Sequence, residues 1–103
     1  MNEQHNILLV EDDSAIQELL VEILMDMDYS CTCALSCADA RLAVKAESFD
    51  CALIDLGLPD GSGLTLLPDF KQSAPWMIPI ILTGDGRSET IIETMRAGAF
   101  DFL

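Results

Sequence analysis

The chain has 103 residues, with 5 lysines and arginines against 18 aspartates and glutamates, which gives a formal charge of −13 at pH 7. This length fits one domain, and half of the residues are apolar, so a packed core is expected despite the charge. Nucleic-acid phosphates and anionic lipids repel so acidic a surface, which excludes both as partners of this domain.

The sequence also bears on the cellular location of the protein. No apolar run reaches the roughly 20 residues that span a bilayer, and the first residues lack the basic and apolar regions of a signal peptide. The only histidine, His5, precedes all of the cysteines, which have no C-x-x-C spacing and stand at Cys31, Cys33, Cys37 and Cys51. Free thiols in a reducing compartment are therefore favoured over a metal site, and we expect a soluble, cytoplasmic protein.

Apolar runs alternate with helical periodicity from one end of the chain to the other, which is typical of βαβ units and a parallel sheet. Residues 7–10 predict a first strand that is buried on both faces. Ser14 and Gln17 have the spacing of a capping box, which predicts the start of a first helix. The apolar positions of this helix recur at helical spacing and are Ile16, Leu19, Leu20, Ile23, Leu24 and Met27.

The same alternation continues to the last residues. The further predicted elements are a second strand at 29–35, a second helix from the Ser36 cap to about Glu47, a third strand at 51–54, a turn-rich loop at 56–63, a third helix with Leu64, Leu66, Leu67 and Phe70, a fourth strand at 78–82, a fourth helix at 88–97 ending at Gly98, and a fifth strand that begins at 100–103. Pro68 removes a hydrogen bond from the third helix and clashes one turn back, at about 3 kcal/mol, so a kink or an early end is expected.

Polar side chains gather where these strands end. The first strand ends in Glu11, Asp12 and Asp13, the third ends in Asp55, and Thr83 follows the fourth. Ligands of open parallel sheets bind beyond the carboxyl ends of the strands. The switch-point rule also suggests that the first strand lies between the second and the third. Neighbouring carboxylates such as Asp12 and Asp55 would then repel each other by roughly 4 kcal/mol at an effective dielectric constant near 20. A hard divalent cation such as Mg²⁺ is the simplest means of holding them together.

Each of these residues also has a simpler interpretation. Taken alone, the acidic triplet reads as a solvated turn before a helix, Asp55 as a strand-end cap, and Thr83 as an ordinary β-branched strand residue. Their coincidence at one edge of the sheet, beside a glycine-rich loop, favours a functional site.

Four segments, in order and at matching intervals, resemble the receiver domain of two-component response regulators. They are residues 7–13 with the acidic pair, 55–63 with the phosphoacceptor loop, 80–84 with the hydroxyl residue and 97–103 leading into the fifth strand. The resemblance implies a doubly wound α/β fold, flavodoxin-like (CheY-like), with a parallel five-stranded sheet of order 2-1-3-4-5. It also implies a bacterial, cytoplasmic signalling protein.

The resemblance further implies a chemistry and its residues. Asp55 would accept a phosphoryl group from the phosphohistidine of a sensor histidine kinase or phosphotransfer protein. Glu11, Asp12, the Asp55 side chain and the Gly57 carbonyl would bind Mg²⁺, with Mn²⁺ as a substitute, and Thr83 would donate its hydroxyl to a phosphoryl oxygen. Phe102 would be the aromatic switch residue, with plain core packing as its alternative role. Such a domain catalyses its own phosphorylation and dephosphorylation, but it is primarily a switch.

The chain departs from the family pattern at its end. The family's lysine after the fifth strand, and its last helix, would follow residue 103. We therefore expect residues 1–103 to be a receiver domain truncated within or just after the fifth strand, with any effector domain beyond. A homodimer through the fourth helix and fifth strand is a further expectation.

Two other functions compete with the phosphorylatable switch. A receiver fold used only for docking or dimerisation, without phosphorylation, is the main alternative. A phosphatase of the haloacid dehalogenase type would need a second aspartate two residues after Asp55, where Gly57 stands.

Overall fold

The computed structural model describes residues 5–82 and the strand at residues 101–102. Its elements are β1 (Asn6–Val10), α1 (Ser14–Asp26), β2 (Ser30–Ala34), α2 (Cys37–Ala46), β3 (Cys51–Asp55), the two-residue strands β4 (Gly57–Leu58) and β5 (Gly61–Ser62), a 3₁₀ turn (Gly63–Thr65), α3 (Leu66–Ser73), β6 (Ile78–Leu82) and β7 (Asp101–Phe102). Within this part of the chain, no helix has the length and apolar character needed to cross a bilayer.

Five strands form one parallel sheet in the order β2-β1-β3-β6-β7. The predicted fourth and fifth strands are β6 and β7, because the predicted turn-rich loop contains the small antiparallel ribbon β4–β5. The predicted order 2-1-3-4-5 and the doubly wound fold are thereby confirmed. The predicted fourth helix at 88–97 and its cap Gly98 lie outside the described residues.

The main core lies on one face of this sheet. Right-handed crossovers that run in opposite directions along a sheet lie on opposite faces, so α2 and α3 share one face and α1 lies on the other. Alternate strand residues point to the α2 and α3 face, and the central ones, Leu8, Val10, Ala34, Ala52, Ile54 and Ile81, are buried almost completely. With the helix and loop residues that pack on them, the core consists of Leu8, Val10, Ala34, Cys37, Ala40, Phe49, Ala52, Ile54, Leu58, Leu66, Leu67, Phe70, Ala74, Met77 and Ile81.

The face that carries α1 is covered less completely. No residue of α1 is buried, and three of its predicted apolar positions, Ile16, Leu19 and Ile23, are 45%, 58% and 47% exposed. On the sheet below, Leu53 and Ile80 are only half-buried, whereas Ile7 and Leu9 are buried. The described residues thus leave one flank of α1 and the adjoining sheet open.

The start of α1 differs from the predicted capping box. The N-cap is Asp13, whose Oδ1 accepts hydrogen bonds from the backbone N–H groups of Ala15 (2.9 Å) and Ile16 (3.1 Å). Ser14 is already the first helical residue, and the Gln17 side chain donates to the Glu11 carbonyl oxygen at 2.9 Å instead of reaching back to the cap. The predicted box is wrong because the preceding aspartate offers a cap oxygen one residue earlier.

The early end predicted for the third helix at Pro68 does not occur. The chain enters α3 through the 3₁₀ turn Gly63–Thr65, which makes Pro68 the third residue of the helix. N–H groups in the first turn of a helix have no partner within it, so a proline there removes no internal hydrogen bond. The helix continues beyond Pro68 to Ser73.

Candidate functional site

Carboxylates from β1 and β3 meet at the carboxyl edge of the sheet. The register pairs Val10 with Ile54, so the residues that follow the two strands emerge side by side. Carboxylate oxygens of Glu11, Asp12 and Asp55 all lie within 4.8 Å of one another. The strand order therefore produces the juxtaposition of Asp12 and Asp55 that the sequence predicted.

Glu11 is the fixed member of this cluster, since it is 4% exposed. Its backbone N–H donates to the Ala34 carbonyl oxygen at 3.0 Å, which extends the pairing of β1 with β2 by one residue. Its side-chain Oε1 accepts the backbone N–H of Asp13 at 3.0 Å. Burial raises the pKa of Glu11, and the negative charges of Asp55 and Asp12 add to the rise, although the Asp13 hydrogen bond opposes it.

Asp55 is the half-buried member, at the end of β3 and in register with Leu82 of β6. Its pKa is raised, first by burial and then by the charge of Asp12, while hydrogen bonds from the backbone of Gly57 and Leu56 partly oppose the rise. Asp12 is exposed on the solvent side of the cluster. The cluster thus runs from the buried Glu11 through the half-buried Asp55 to the exposed Asp12.

The cluster has a shortage of positive charge. Neither of the ion pairs among the described residues, His5 with Asp50 and Arg41 with Asp69, involves it. Three carboxylates from two strands, two of them with raised pKa values, suit a hard cation with oxygen ligands. The residues present therefore fit Mg²⁺, which takes few carboxylates and keeps several waters.

The loop after Asp55 folds back on itself beside the cluster. The ribbon pairs Gly57 with Ser62 and Leu58 with Gly61, and Leu58 anchors it in the core. The Gly63 N–H donates to the Leu56 carbonyl oxygen at 2.9 Å, which closes the loop at its base. Gly57 is exposed at the start of the ribbon, next to the acidic cluster.

Two of the residues singled out from the sequence are not placed at the site. Thr83 lies outside the described residues, directly after Leu82 at the end of β6. Phe102 lies on the edge strand β7, where its backbone pairs with Ile81 of β6. The side chain of Phe102 is outside the described part of the chain.

Sequence analysis missed the part played by one loop residue. The Asp60 carboxylate accepts backbone N–H groups at the start of α2, from Cys37 at 2.8 Å and from Ala38 at 3.0 Å. In the sequence, Asp60 is one of several turn residues after Pro59. No local pattern indicates a partner more than 20 positions earlier.

Comparisons with known proteins match nearly the whole chain to one family. The family model of the response regulator receiver domain matches residues 7–103. The alginate biosynthesis transcriptional regulatory protein AlgB of Pseudomonas aeruginosa is 37% identical over 100 residues, which cover 97% of this chain and 22% of that protein. The chain thus spans less than a quarter of the length of this curated relative.

Two solved structures extend the comparison. A response regulator receiver domain protein (CheY-like) from Methanospirillum hungatei has a TM-score of 0.91 and 31% identity, over 98% of this chain and 81% of that one. A response regulator from Burkholderia pseudomallei, described with a phosphorylated aspartic acid, a calcium ion and citrate, has a TM-score of 0.91 and 26% identity, over 97% of this chain and 59% of that one.

Proposed function

The chain belongs to the family of response regulator receiver domains, and from this premise we propose that Asp55 accepts a phosphoryl group and thereby switches the domain. Members of this family act with histidine kinases or phosphotransfer proteins, and we propose such a protein as the phosphoryl donor. The observation that carries the proposal is the gathering of Glu11, Asp12 and Asp55 at one edge of the sheet, with carboxylate oxygens within 4.8 Å of one another.

In the proposed reaction, Asp55 is the nucleophile. One of its carboxylate oxygens attacks the phosphorus of the donor phosphohistidine, so that an O–P bond forms while the N–P bond breaks and the imidazole leaves. Phosphoryl transfer depends on positioning and on charge neutralisation more than on covalent assistance. Asp55 suits this role because β3 fixes its backbone while the residue itself is only half-buried.

Glu11, Asp12, the Asp55 side chain and the Gly57 carbonyl would hold the divalent cation, Mg²⁺ or in its place Mn²⁺. The cation supplies positive charge against the phosphoryl oxygens. The raised pKa values of Glu11 and Asp55 support this assignment, because burial first and neighbouring negative charges second disfavour their ionised forms, which a cation would stabilise. The phosphorylated aspartic acid and calcium ion of the Burkholderia pseudomallei response regulator give further support.

The remaining parts of the proposal concern the switch and its surroundings. Thr83 would hydrogen-bond the phosphoryl group, and Phe102 would respond to it. Residues 1–103 would be the receiver domain of a longer cytoplasmic protein, in which chain beyond the fifth strand covers the open flank of α1 and any effector follows. A homodimer through the fourth helix and fifth strand, with no nucleic acid bound by this domain, completes the proposal.

The alternative of a docking module that works without phosphorylation has no observation in its favour. Such a module needs no cluster of carboxylates, and in this chain Glu11, Asp12 and Asp55 form one at the ends of two neighbouring strands.

Phosphorylation by a small donor tests the proposal. The whole protein, incubated with acetyl phosphate and Mg²⁺, should gain the mass of one phosphoryl group, and chelation of the cation should prevent the gain. Asp55→Asn should remain unmodified. Asp69→Asn is the matched control, since it removes an exposed carboxylate of α3 that pairs with Arg41 and is not a member of the cluster. Equal modification of Asp55→Asn and the wild type would reject Asp55 as the acceptor.

A further inference from the structure

The carboxylate of Asp60 joins the loop after the phosphoacceptor to the start of α2. Its Oδ1 accepts the Cys37 N–H at 2.8 Å and its Oδ2 accepts the Ala38 N–H at 3.0 Å. These are the first amides of the helix, which have no acceptor within it. Both oxygens of one carboxylate are thus used to bridge segments that lie 22 and 23 positions apart in the sequence.

This bridge is additional to the local cap of α2. The N-cap Ser36 already accepts the Asp39 N–H through its Oγ at 3.1 Å, as its position in the sequence predicts. Ser36 thus supplies a cap from the helix's own segment, whereas the Asp60 carboxylate comes from a different element. Its contacts therefore fix the position of the loop relative to α2 as well as capping the helix.

A second set of contacts fastens the same ribbon from its other strand. The Cys37 thiol donates to the Ser62 carbonyl oxygen at 3.7 Å, and the Thr65 hydroxyl donates to that oxygen at 2.7 Å. Cys37 is 1% exposed, so this contact is shielded from water. Asp60 and Ser62 thus hold the turn of the ribbon and its returning strand against the first turn of α2.

The ribbon connects the contacts of Asp60 and Ser62 with α2 to the acidic cluster. Each of its strands has only two residues, and so short a hairpin is not stable alone. Ser62 pairs with Gly57, which follows Asp55 by two positions and whose backbone lowers the pKa of the Asp55 carboxyl group. A displacement of the turn at Asp60 would therefore shift the Gly57 backbone beside the Asp55 side chain.

We propose that Asp60 is a positioning residue of the phosphoacceptor loop, whose bond to the N-terminus of α2 holds Gly57 in place beside Asp55. The proposal rests on the proposed function, in which the Gly57 carbonyl and the Asp55 carboxylate bind the cation. The two amides lower the pKa of Asp60, so its carboxylate stays ionised at neutral pH, where the partial positive charge of the helix N-terminus also favours it.

Two measurements on the whole protein test this role. The first is the dissociation constant of Mg²⁺, and the second is the rate of amide hydrogen exchange in residues 56–58. Asp60→Ala should weaken Mg²⁺ binding about tenfold, the scale typical of residues that orient metal ligands, and it should accelerate exchange at Gly57. Asp60→Asn keeps one acceptor oxygen but turns an NH₂ donor toward the other amide, so both properties should lie between those of the wild type and Asp60→Ala. If Asp60→Ala does not fold, Asp60→Ser replaces it, because its short hydroxyl cannot reach both amides.

Asp69→Ala is the matched control. It removes another exposed carboxylate that joins α2 to the following segment, through Arg41 at 2.7 Å, but it does not contact the ribbon. Mg²⁺ binding and exchange at Gly57 should be unchanged in this variant. Wild-type values in Asp60→Ala, or equal losses in Asp60→Ala and Asp69→Ala, would overturn the proposal. Absence of Mg²⁺ binding by the wild type would reject the proposed function instead, while the exchange rates would still test the bridge.

Discussion

At Gly63 the loop after Asp55 lies in close contact with β3. A Cβ atom built there would overlap the Asp55 carbonyl oxygen and lie 2.7 Å from the Ile54 side chain. Gly63→Ala should therefore destabilise the protein by about 1–3 kcal/mol, the cost of forcing extra volume into a packed region. Urea unfolding measures the change. Gly57→Ala is the control, because no atom lies within 4 Å of its Cβ position, and equal losses in the two variants would contradict the account.

The acidic cluster makes stability depend on pH. Folding raises the pKa of Glu11 above 4.5 and that of Asp55 above 3.8, so the folded state binds protons more tightly than the unfolded state. Their stabilising contribution is complete below those ordinary values and is lost as the pH rises through the raised ones. Without metal, the free energy of unfolding measured in urea should therefore decrease as the pH rises through the raised pKa values of these two groups.

Asp12→Asn tests this directly, because the Asp12 charge raises both pKa values. The variant should be more stable than the wild type at pH 7 in chelator, by about 1 kcal/mol or less, and its stability should change less with pH. Added Mg²⁺ should stabilise the wild type more than the variant. Asp26→Asn, at the far end of α1, removes the same charge away from the cluster and should show neither effect.

At the level of elements, the cap of α1 differs between the sequence prediction, Ser14, and the structure, Asp13. Asp13→Ala should cost about 1 kcal/mol, because its side chain caps two helix amides, whereas Ser14→Ala should be nearly neutral. Asp13→Asn keeps the acceptor and removes the charge, so it should retain the stability of the cap in thermal unfolding. A larger loss from Ser14→Ala than from Asp13→Ala would restore the capping box that the sequence predicted.

The elements that sequence reasoning found are those with a strong local signal. The continuous apolar runs of β1 and β3 identified buried parallel strands, and their order then placed Glu11 and Asp55 together. The two-residue strands of the ribbon have no periodicity to detect. The bond of Asp60 to α2 could not be predicted either, because it joins segments whose approach depends on the whole fold.

At the scale of the molecule, the two faces of the sheet are unequally covered. The α2 and α3 face is a continuous core, whereas Leu19 on the opposite side is 58% exposed within the described residues. The helical spacing of apolar residues correctly predicted α1, and part of its apolar stripe is exposed within the described residues. An amphipathic stripe indicates a surface that packs, and it does not indicate which segment covers it.

The proposed longer chain predicts that this flank is covered in the whole protein. Leu19→Ala should then destabilise the whole protein by about 2 kcal/mol, as expected for a buried leucine, in urea unfolding. Leu42→Ala, on α2 and 65% exposed, is the matched control and should have little effect. Equal, small effects of the two substitutions would show that the flank of α1 stays exposed to water.

The central claim, that Asp55 is the phosphoacceptor, is tested most directly by chemical trapping of the phosphorylated residue. An aspartyl phosphate is an acyl phosphate, and borohydride reduces it to homoserine, which peptide mass spectrometry locates in the sequence. After treatment of the whole protein with acetyl phosphate and Mg²⁺, we expect homoserine at position 55 and at no other aspartate of the chain. Homoserine at Asp12 or Asp60, or none at position 55 of a phosphorylated protein, would contradict it.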